Sequence, residues 1–265
     1  MLKSAELDAV PDRIKFFLEE SVIPSPHSID LSETPASDYL YRQTRDTPHV
    51  AELYLENSKL NPHSTQGPIG SGETFEEIRE WFFETAYDLD GDTYLKRDSP
   101  RLRLAEDQLP DPMQALLDPF SEQGGPTNLL YSIDMFALYG GRLLRRIPQS
   151  PYLWTEREVS AEEMQELGAK LTGSPDEWTR TDAVLFFVAC PWRYMMLHGP
   201  RGYRHTLLDL GRLLAVLEGR SGQLGLPISV LQNFHDRFIN DFVLADGVER
   251  STHAIMMLNF GPPAN

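Results

Sequence analysis

Two arginines and a histidine directly precede the most apolar long helix that the sequence predicts. They lie in the stretch HGPRGYRHTLLDLGRLL, residues 198–214, where a Gly-Pro pair interrupts one element before the helix begins. Backbone N–H groups at a helix N-terminus, joined by guanidinium groups, form a natural binding site for an anion. Arg201 and Arg204 are therefore candidate anion ligands. The spacing leaves open the alternative that both arginines pair with some of the 40 carboxylates of the chain.

Other stretches that resemble reactive or metal-binding motifs lack a required residue. DLDGDT, residues 88–93, alternates carboxylates around a glycine, but an EF-hand loop needs glycine at its sixth position and glutamate at its twelfth. Those positions hold Thr93 and Ser99. The seven histidines show no metal-ligand spacing, and the single cysteine, Cys190, ends an apolar run typical of a core strand. No metal site is predicted.

Charge and composition limit the class of protein. The 265 residues carry a formal net charge of −16, which argues against a nucleic-acid partner because phosphate binding needs a basic face. No apolar run reaches the roughly 18 residues of a membrane span, and the N-terminus shows no secretion signal, so we expect a cytoplasmic protein that does not enter a membrane. The 19 arginines against 5 lysines fit either a halophilic host or a GC-rich genome.

Helices and strands alternate along the chain, which predicts an α+β or α/β fold. We expect an N-terminal extension, residues 1–49, followed by one main domain, residues 50–265. Apolar periodicity predicts helices at 12–20, 49–60, 73–89, 112–120, 161–170 (capped by Ser160) and 203–219. Strands are predicted at 128–140 in the centre of a sheet, once within 141–158, at 183–190, near 226–231, and at 253–260 as the strand that closes the sheet. The helix at 203–219 is apolar on more than one face, as expected of a central or interface helix.

Residues 198–234 resemble a segment of the SagB-type branch of the nitroreductase superfamily, most specifically at RGYRxxLLxxG and LGL. This branch includes flavin-dependent dehydrogenases that oxidise azolines to azoles in modified peptides. LYLENSKLNPHS, ETFEEIREWFFETAY, PTNLLYSIDMFALY and HAIMMLNFG follow the family's order of segments, so that the resemblance covers about residues 50–262.

The resemblance implies an α+β sandwich with a central antiparallel or mixed sheet, in which two subunits share an interface and bind FMN across it. The long helix at 203–219 would then be the dimer-interface helix, in a homodimer or a heterodimer. Arg201 and Arg204 would contact a flavin phosphate or a neighbouring carboxylate. The other implied flavin contacts are Ser58, Lys59, Asn128, Leu129, Gln232 and Asn233.

The chain departs from the family pattern at the positions that would hold the flavin. Only Ser58-Lys59 matches the Arg-rich entry segment, and Asn128 and Leu129 replace two glycines that let the backbone approach the flavin ring. The family's Lys-Tyr pair for proton transfer falls at Leu197-His198. His198 could act as the base, since its ordinary pKa lies near neutrality, and Tyr194 is the second candidate.

Two functions follow from the resemblance. The first is an FMN-dependent dehydrogenase acting on a modified peptide such as an azoline, or on a small molecule. The second is a catalytically degenerate nitroreductase-like subunit that pairs with an active partner in a peptide-modifying complex. The intact RGYR segment supports the family in both cases, and the altered glycine positions favour the second.

Overall fold

The computed structural model describes residues 72–86, 103–121, 125–171 and 178–261. Several features predicted from the sequence lie outside these residues: the helices at 12–20 and 49–60, the boundary between residues 49 and 50, the acidic turn at 88–93, and Ser58 with Lys59.

The described helices and strands alternate, as predicted. The helices are α1 (Gly72–Ala86), α2 (Asp111–Leu117), α3 (Ala161–Leu171), α4 (Trp192–His198), α5 (Gly202–Leu224) and α6 (Asp236–Phe242). The strands are β1 (Arg103–Ala105), β2 (Ile133–Tyr139), β3 (Arg142–Arg146), β4 (Tyr152–Glu158), β5 (Ala183–Ala189), β6 (Ile228–Leu231) and β7 (Ser251–Leu258).

These seven strands form one sheet in the order β1-β4-β3-β2-β5-β7-β6. Every neighbouring pair is antiparallel, which settles the choice between an antiparallel and a mixed sheet for the described strands. β2 is the middle strand, as predicted. The prediction that residues 253–260 close the sheet is wrong, because β7 lies between β5 and β6 and the edge strand is β6.

Apolar side chains cover both faces of the sheet, because successive residues of a strand point to opposite sides. Met135 and Leu185 join one buried cluster, which includes residues of α2 and α5. Phe136 and Phe186 join the other, which includes residues of α3 and α6. The result is an α+β sandwich in which strands such as β5 are buried along their whole length.

Several elements differ from the sequence-based prediction. Residues 125–131 form a 3₁₀ helix instead of the start of a strand, since Pro126 lacks an N–H and has a fixed φ that suits a helical turn. α5 continues past Gly219 to Leu224 and ends where Gly225 adopts φ +65°. The stretch 141–158 holds two strands, β3 and β4, where one was predicted.

The chain divides into two compact units, and the division falls inside two helices. The described part of the first unit comprises residues 72–78 and Pro191–His205. The second unit contains the sheet, the rest of α1, and α5 from Thr206 onward.

Candidate functional site

A sharp turn between α4 and α5 positions the residues that the sequence singled out. α4 ends at His198, and Gly199 then adopts φ 55° and ψ −148°, a conformation that is essentially restricted to glycine. Pro200 follows in a short 3₁₀ turn, Gly199–Arg201, that leads into α5. The Gly-Pro pair thus reverses the chain direction and brings the first turn of α5 back onto α4.

Gly202 explains how closely these two helices approach. A Cβ at this position would lie 2.5 Å from the carbonyl carbon of Tyr194 and 2.6 Å from Cα of Met195, so only glycine fits without movement of the backbone. Its N–H donates to the carbonyl oxygen of Gly199. That N–H is consequently not available to an anion, which narrows the predicted anion site at this helix start to the later N–H groups and the arginine side chains.

Four rings meet where α4, α5 and α1 pack in the first unit; we call them the ring cluster (Phe75, Tyr194, His198 and His205). Phe75 stacks on Tyr194, with centroids 5.4 Å apart and an interplanar angle of 17°. The rings of His198 and His205 have centroids 4.7 Å apart. Both predicted catalytic candidates, Tyr194 and His198, are therefore neighbours, with centroids 6.1 Å apart.

The surroundings of His198 in the ring cluster lower its pKa. Burial lowers the pKa of His198 below its ordinary value, and the nearby His205 and Arg201 lower it further. A histidine with a lowered pKa is neutral at neutral pH. One of its two ring nitrogens is then unprotonated and can accept a proton. The predicted role of His198 as a base is therefore chemically consistent with its surroundings.

The two candidate anion ligands lie on either side of Gly202. Arg201 ends the 3₁₀ turn and Arg204 lies in the first turn of α5, and both side chains are half-buried. Tyr203, between them, is also half-buried, and burial raises its pKa so that it stays neutral. The start of α5 is thus a cationic region within a strongly acidic protein.

The remaining described candidates for flavin contacts belong to the second unit. Asn128 and Leu129 are half-buried in the 3₁₀ helix Gly125–Tyr131. Gln232 and Asn233 follow β6 directly and are exposed. Gln232 and Asn233 thus lie directly at the end of β6, whereas three residues separate Asn128 and Leu129 from the start of β2.

Sequence reasoning missed two members of the ring cluster, Phe75 and His205. Phe75 read as one residue of the apolar stripe of α1, with nothing to distinguish it from a core position. His205 carried a possible signal, because it follows the RGYR segment and lies one helical turn after Gly202. Its relation to His198 could not be read from spacing, since the chain reverses between them at Gly199.

A buried charged group at the start of β2 was also missed. The carboxylate of Asp134 pairs with Arg250 at 3.1 Å and accepts a hydrogen bond from the thiol of Cys190 at 3.6 Å. The guanidinium carbons of Arg250 and Arg145 lie 5.9 and 6.0 Å from the centroid of the Phe136 ring. Cys190 is fully buried, which confirms its predicted core position.

Two absences hold for the described residues only. No three His, Cys, Asp or Glu side chains in this part of the chain are arranged to hold a metal ion. Within the same residues, no helix is both long and apolar enough to cross a bilayer.

Comparison with known proteins identifies the fold. The sequence matches no family model and no curated protein. A solved structure named as a nitroreductase, from Anabaena variabilis, matches with TM-score 0.55 and 16% identity over 78% of this chain, which spans only 45% of that one. One chain of the E. coli microcin synthetase McbBCD complex, solved with truncated pro-MccB17 bound, matches with TM-score 0.50 and 14% identity over 99% of this chain and 98% of that chain. The chain therefore has the nitroreductase-like α+β fold that the sequence predicted.

FMN is the cofactor that the resemblance implies. The polar candidates among the described residues carry groups that could contact it, but the half-buried Asn128 and Leu129 lie where the resemblance expects glycines. Arg201 and Arg204 offer guanidinium groups, which are preferred ligands for phosphate. Asn128 offers an amide that both donates and accepts hydrogen bonds, as the edge of a flavin ring requires. Arg201 and Arg204 belong to the first unit and Asn128 to the second.

Proposed function

We propose that the protein is an FMN-dependent oxidoreductase of the nitroreductase superfamily that acts on a peptide-derived substrate such as an azoline. The observation that carries the proposal is the half-buried imidazole of His198, whose pKa is lowered by burial, in contact with Tyr194 and followed by Arg201 and Arg204 at the start of α5 on a nitroreductase-like fold. A base, a phosphate-binding region and this fold together suit removal of a proton and a hydride from carbon.

His198 has the role of the base in this reaction. Oxidation of an azoline to an azole removes one proton and one hydride from adjacent ring atoms, and bound FMN would supply the hydride acceptor. A ring nitrogen of His198 takes the proton, because the lowered pKa keeps that nitrogen unprotonated beforehand. Tyr194, whose ring contacts Phe75 and both histidines, orients the imidazole or serves as the alternative proton acceptor.

Arg201 and Arg204 have the role of phosphate ligands. The test is a titration of the purified protein with FMN, followed by the absorption and fluorescence of the flavin. Arg201→Gln and Arg204→Gln should each weaken FMN binding at least several-fold. Arg212→Gln is the matched control, since Arg212 lies on the same helix with its side chain 71% exposed and should leave binding unchanged. Equal affinity in all four proteins would remove the arginines from the site.

The substrate is tested with an azoline-containing peptide and mass spectrometry. Conversion to the azole lowers the mass by two hydrogen atoms per ring, and His198→Ala should abolish that loss while FMN stays bound. Conversion that persists in His198→Ala and fails in Tyr194→Phe would assign the proton to Tyr194 instead. The structural similarity to a chain of the McbBCD complex, which was solved with a truncated pro-peptide bound, supports a peptide as the first substrate to try.

A second function is favoured by one observation. Asn128 and Leu129 carry half-buried side chains at the positions where the resemblance expects glycines, and these side chains would narrow the space for a flavin ring. In this case the protein is a non-catalytic subunit that pairs with an active enzyme of a peptide-modifying complex. Protein that is colourless, binds no added FMN and co-purifies with such an enzyme would establish this function in place of the first.

The exposed face of α5 supports pairing in either case. Leu208 is 60% exposed, and Gly211, Ala215 and Gly219 follow on the same side of the helix at intervals of three or four residues. Nothing lies within 4 Å of a Cβ built at Gly211 or Gly219. Small residues of this kind let a second helix approach closely, so we assign this α5 face to a homodimer or heterodimer contact.

A further inference from the structure

His205 has no role in the proposed reaction, although it makes the closest ring contact of His198. The two imidazole centroids are 4.7 Å apart with an interplanar angle of 37°, and His205 also contacts Tyr194, with centroids 5.5 Å apart. Both imidazoles are half-buried. Two ionisable groups at this separation in a partly buried environment interact strongly, so the charge of one affects the pKa of the other.

We propose that His198 and His205 form one proton-binding pair that holds at most one proton near neutral pH, and that His205, together with burial, keeps His198 available as a base. Protonation of one ring raises the cost of protonating the other, because two like charges would lie within a few ångströms of each other. The pair therefore loses its protons in two separate steps as the pH rises.

Among the described residues whose contacts with His198 are known, the neighbouring groups favour the neutral state of His198. From the 3₁₀ turn, Arg201 adds a positive charge that lowers the pKa of His198. From α4, the facing group is the ring of Tyr194, and from α1 it is the apolar ring of Phe75. On α5 itself, the charged residue that precedes His205 in the sequence is Arg204.

The geometry that brings the rings together depends on two glycines. Gly199 reverses the chain after His198, and Gly202 lets α5 approach the backbone of α4. His205 follows Gly202 by three residues, nearly one helical turn, so its side chain projects from the same side of α5 as the contact with α4. The contact between His198 and His205 therefore depends on the RGYRH sequence and on the turn at Gly199 that precedes it.

The experiment is an NMR titration of the histidine ring protons in the full chain, with the resonances assigned by single His→Gln substitutions. In the wild type, His198 should titrate below the ordinary histidine range, and the curves of His198 and His205 should each show two steps. In His205→Phe, which keeps a ring against Tyr194 but carries no charge, the His198 curve should become a single step and move to higher pH. His235→Phe is the matched control, because His235 is exposed and should leave the His198 curve unchanged.

An unchanged His198 curve in His205→Phe would overturn the proposal, as would a single step at the ordinary histidine pKa in the wild type. If His205→Phe does not fold, His205→Gln and the wild-type curves decide the question by the same criteria. The pair itself is tested without cofactor or substrate, whereas its use as a base rests on the proposed function. A two-step titration in a protein that binds no FMN would uphold the pair and reject the proposed reaction.

Discussion

Gly202 lies against the backbone of Met195 so closely that a methyl group at residue 202 would come within 2.6 Å of the Met195 Cα. This contact couples the start of α5 to α4. It also accounts for the glycine of the RGYR segment through helix packing, with no need for a ligand at that position.

Replacement of Gly202 by alanine should therefore destabilise the protein. The backbone of Gly202 is already in the right-handed helical region, so the cost comes from overlap alone, about 1–3 kcal/mol for overpacking of this kind. Gly222→Ala is the matched control, because that glycine is also in α5 and a Cβ there meets nothing within 4 Å. It should gain about 0.5–1 kcal/mol. Urea denaturation of both variants measures the difference, and equal stability would contradict the close contact.

Leu208→Glu should convert a dimer into a monomer without unfolding it. Leu208 is 60% exposed and lies on the α5 face assigned to pairing, where a charge would be buried against the partner. Leu224→Glu serves as control: Leu224 is 43% exposed on the same helix, but about 160° around the axis, given about 100° per residue. Native mass determination should show the change only for Leu208→Glu. A dimer that survives Leu208→Glu would place the contact elsewhere.

The buried ion pair of Arg146 with Glu106 predicts that a single substitution destabilises the protein far more than a double substitution does. Nη1 of Arg146 donates to Oε2 of Glu106 at 3.2 Å, and the Arg146 side chain is 1% exposed. Burial lowers the pKa of Arg146 and raises that of Glu106, so for both groups the loss of hydration exceeds the attraction between them. Nε and Nη2 of Arg146 have no hydrogen-bond partner among the described residues.

Glu106→Ala alone should cost about 3–5 kcal/mol, because it leaves a buried guanidinium without its carboxylate. Replacing both residues, as Arg146→Met with Glu106→Leu, should restore most of this loss, since apolar side chains of similar size avoid the loss of hydration. Denaturation midpoints of the three proteins measure the effect. A double variant as unstable as Glu106→Ala would show that the pair contributes more than its burial costs.

The hydrogen bonds in the first turn of α3 predict that the stability of the fold depends on pH. The N–H of Ser160 donates to Glu163 Oε2 at 2.9 Å, and the N–H of Glu163 donates to Ser160 Oγ at 3.2 Å, which is the predicted capping box. The hydrogen bond from the Ser160 backbone, followed by that from Arg157, lowers the pKa of Glu163. A lowered carboxyl pKa stabilises the fold above the unfolded-state pKa, and this contribution is lost as the pH falls through the folded-state pKa.

Glu163→Gln should therefore reduce the unfolding midpoint at neutral pH, and the difference from the wild type should vanish in acid. Glu162→Gln, at an exposed neighbouring position in the same turn, should show neither effect. Ser160→Ala should cost about 1 kcal/mol through loss of the N-cap. A difference between wild type and Glu163→Gln that persists in acid would argue against the carboxylate as its source.

The elements with strong local signals were predictable. β5 was read from an unbroken apolar run, α3 from its capping box, and the sheet position of β2 from its burial on both faces. The 3₁₀ helix before β2 was not, because Leu129 and Leu130 continue the apolar pattern of the strand and only Pro126 marks the break. The end of α5 was placed at Gly219, since a glycine in a helix differs from a terminating glycine only by its backbone conformation.

The candidate site could be predicted one residue at a time but not as a group. The RGYR segment placed Arg201 and Arg204 at a helix start because both are local to one element. The contact of His198 with His205 depends on the reversal at Gly199, and that of Phe75 with Tyr194 joins positions more than 100 residues apart in the chain. No periodicity and no motif in the sequence predicts either contact.

The buried thiol of Cys190 makes this chain a convenient framework for labelling. It is the single cysteine of the sequence, it is fully buried, and its sulfur hydrogen-bonds to the Asp134 carboxylate. Thiol reagents attack accessible thiolates, so the folded wild type should take up almost no maleimide dye. A cysteine introduced at an exposed position, such as Val248, would then be the one site that accepts a probe, and the distance to a partner subunit could be followed by energy transfer.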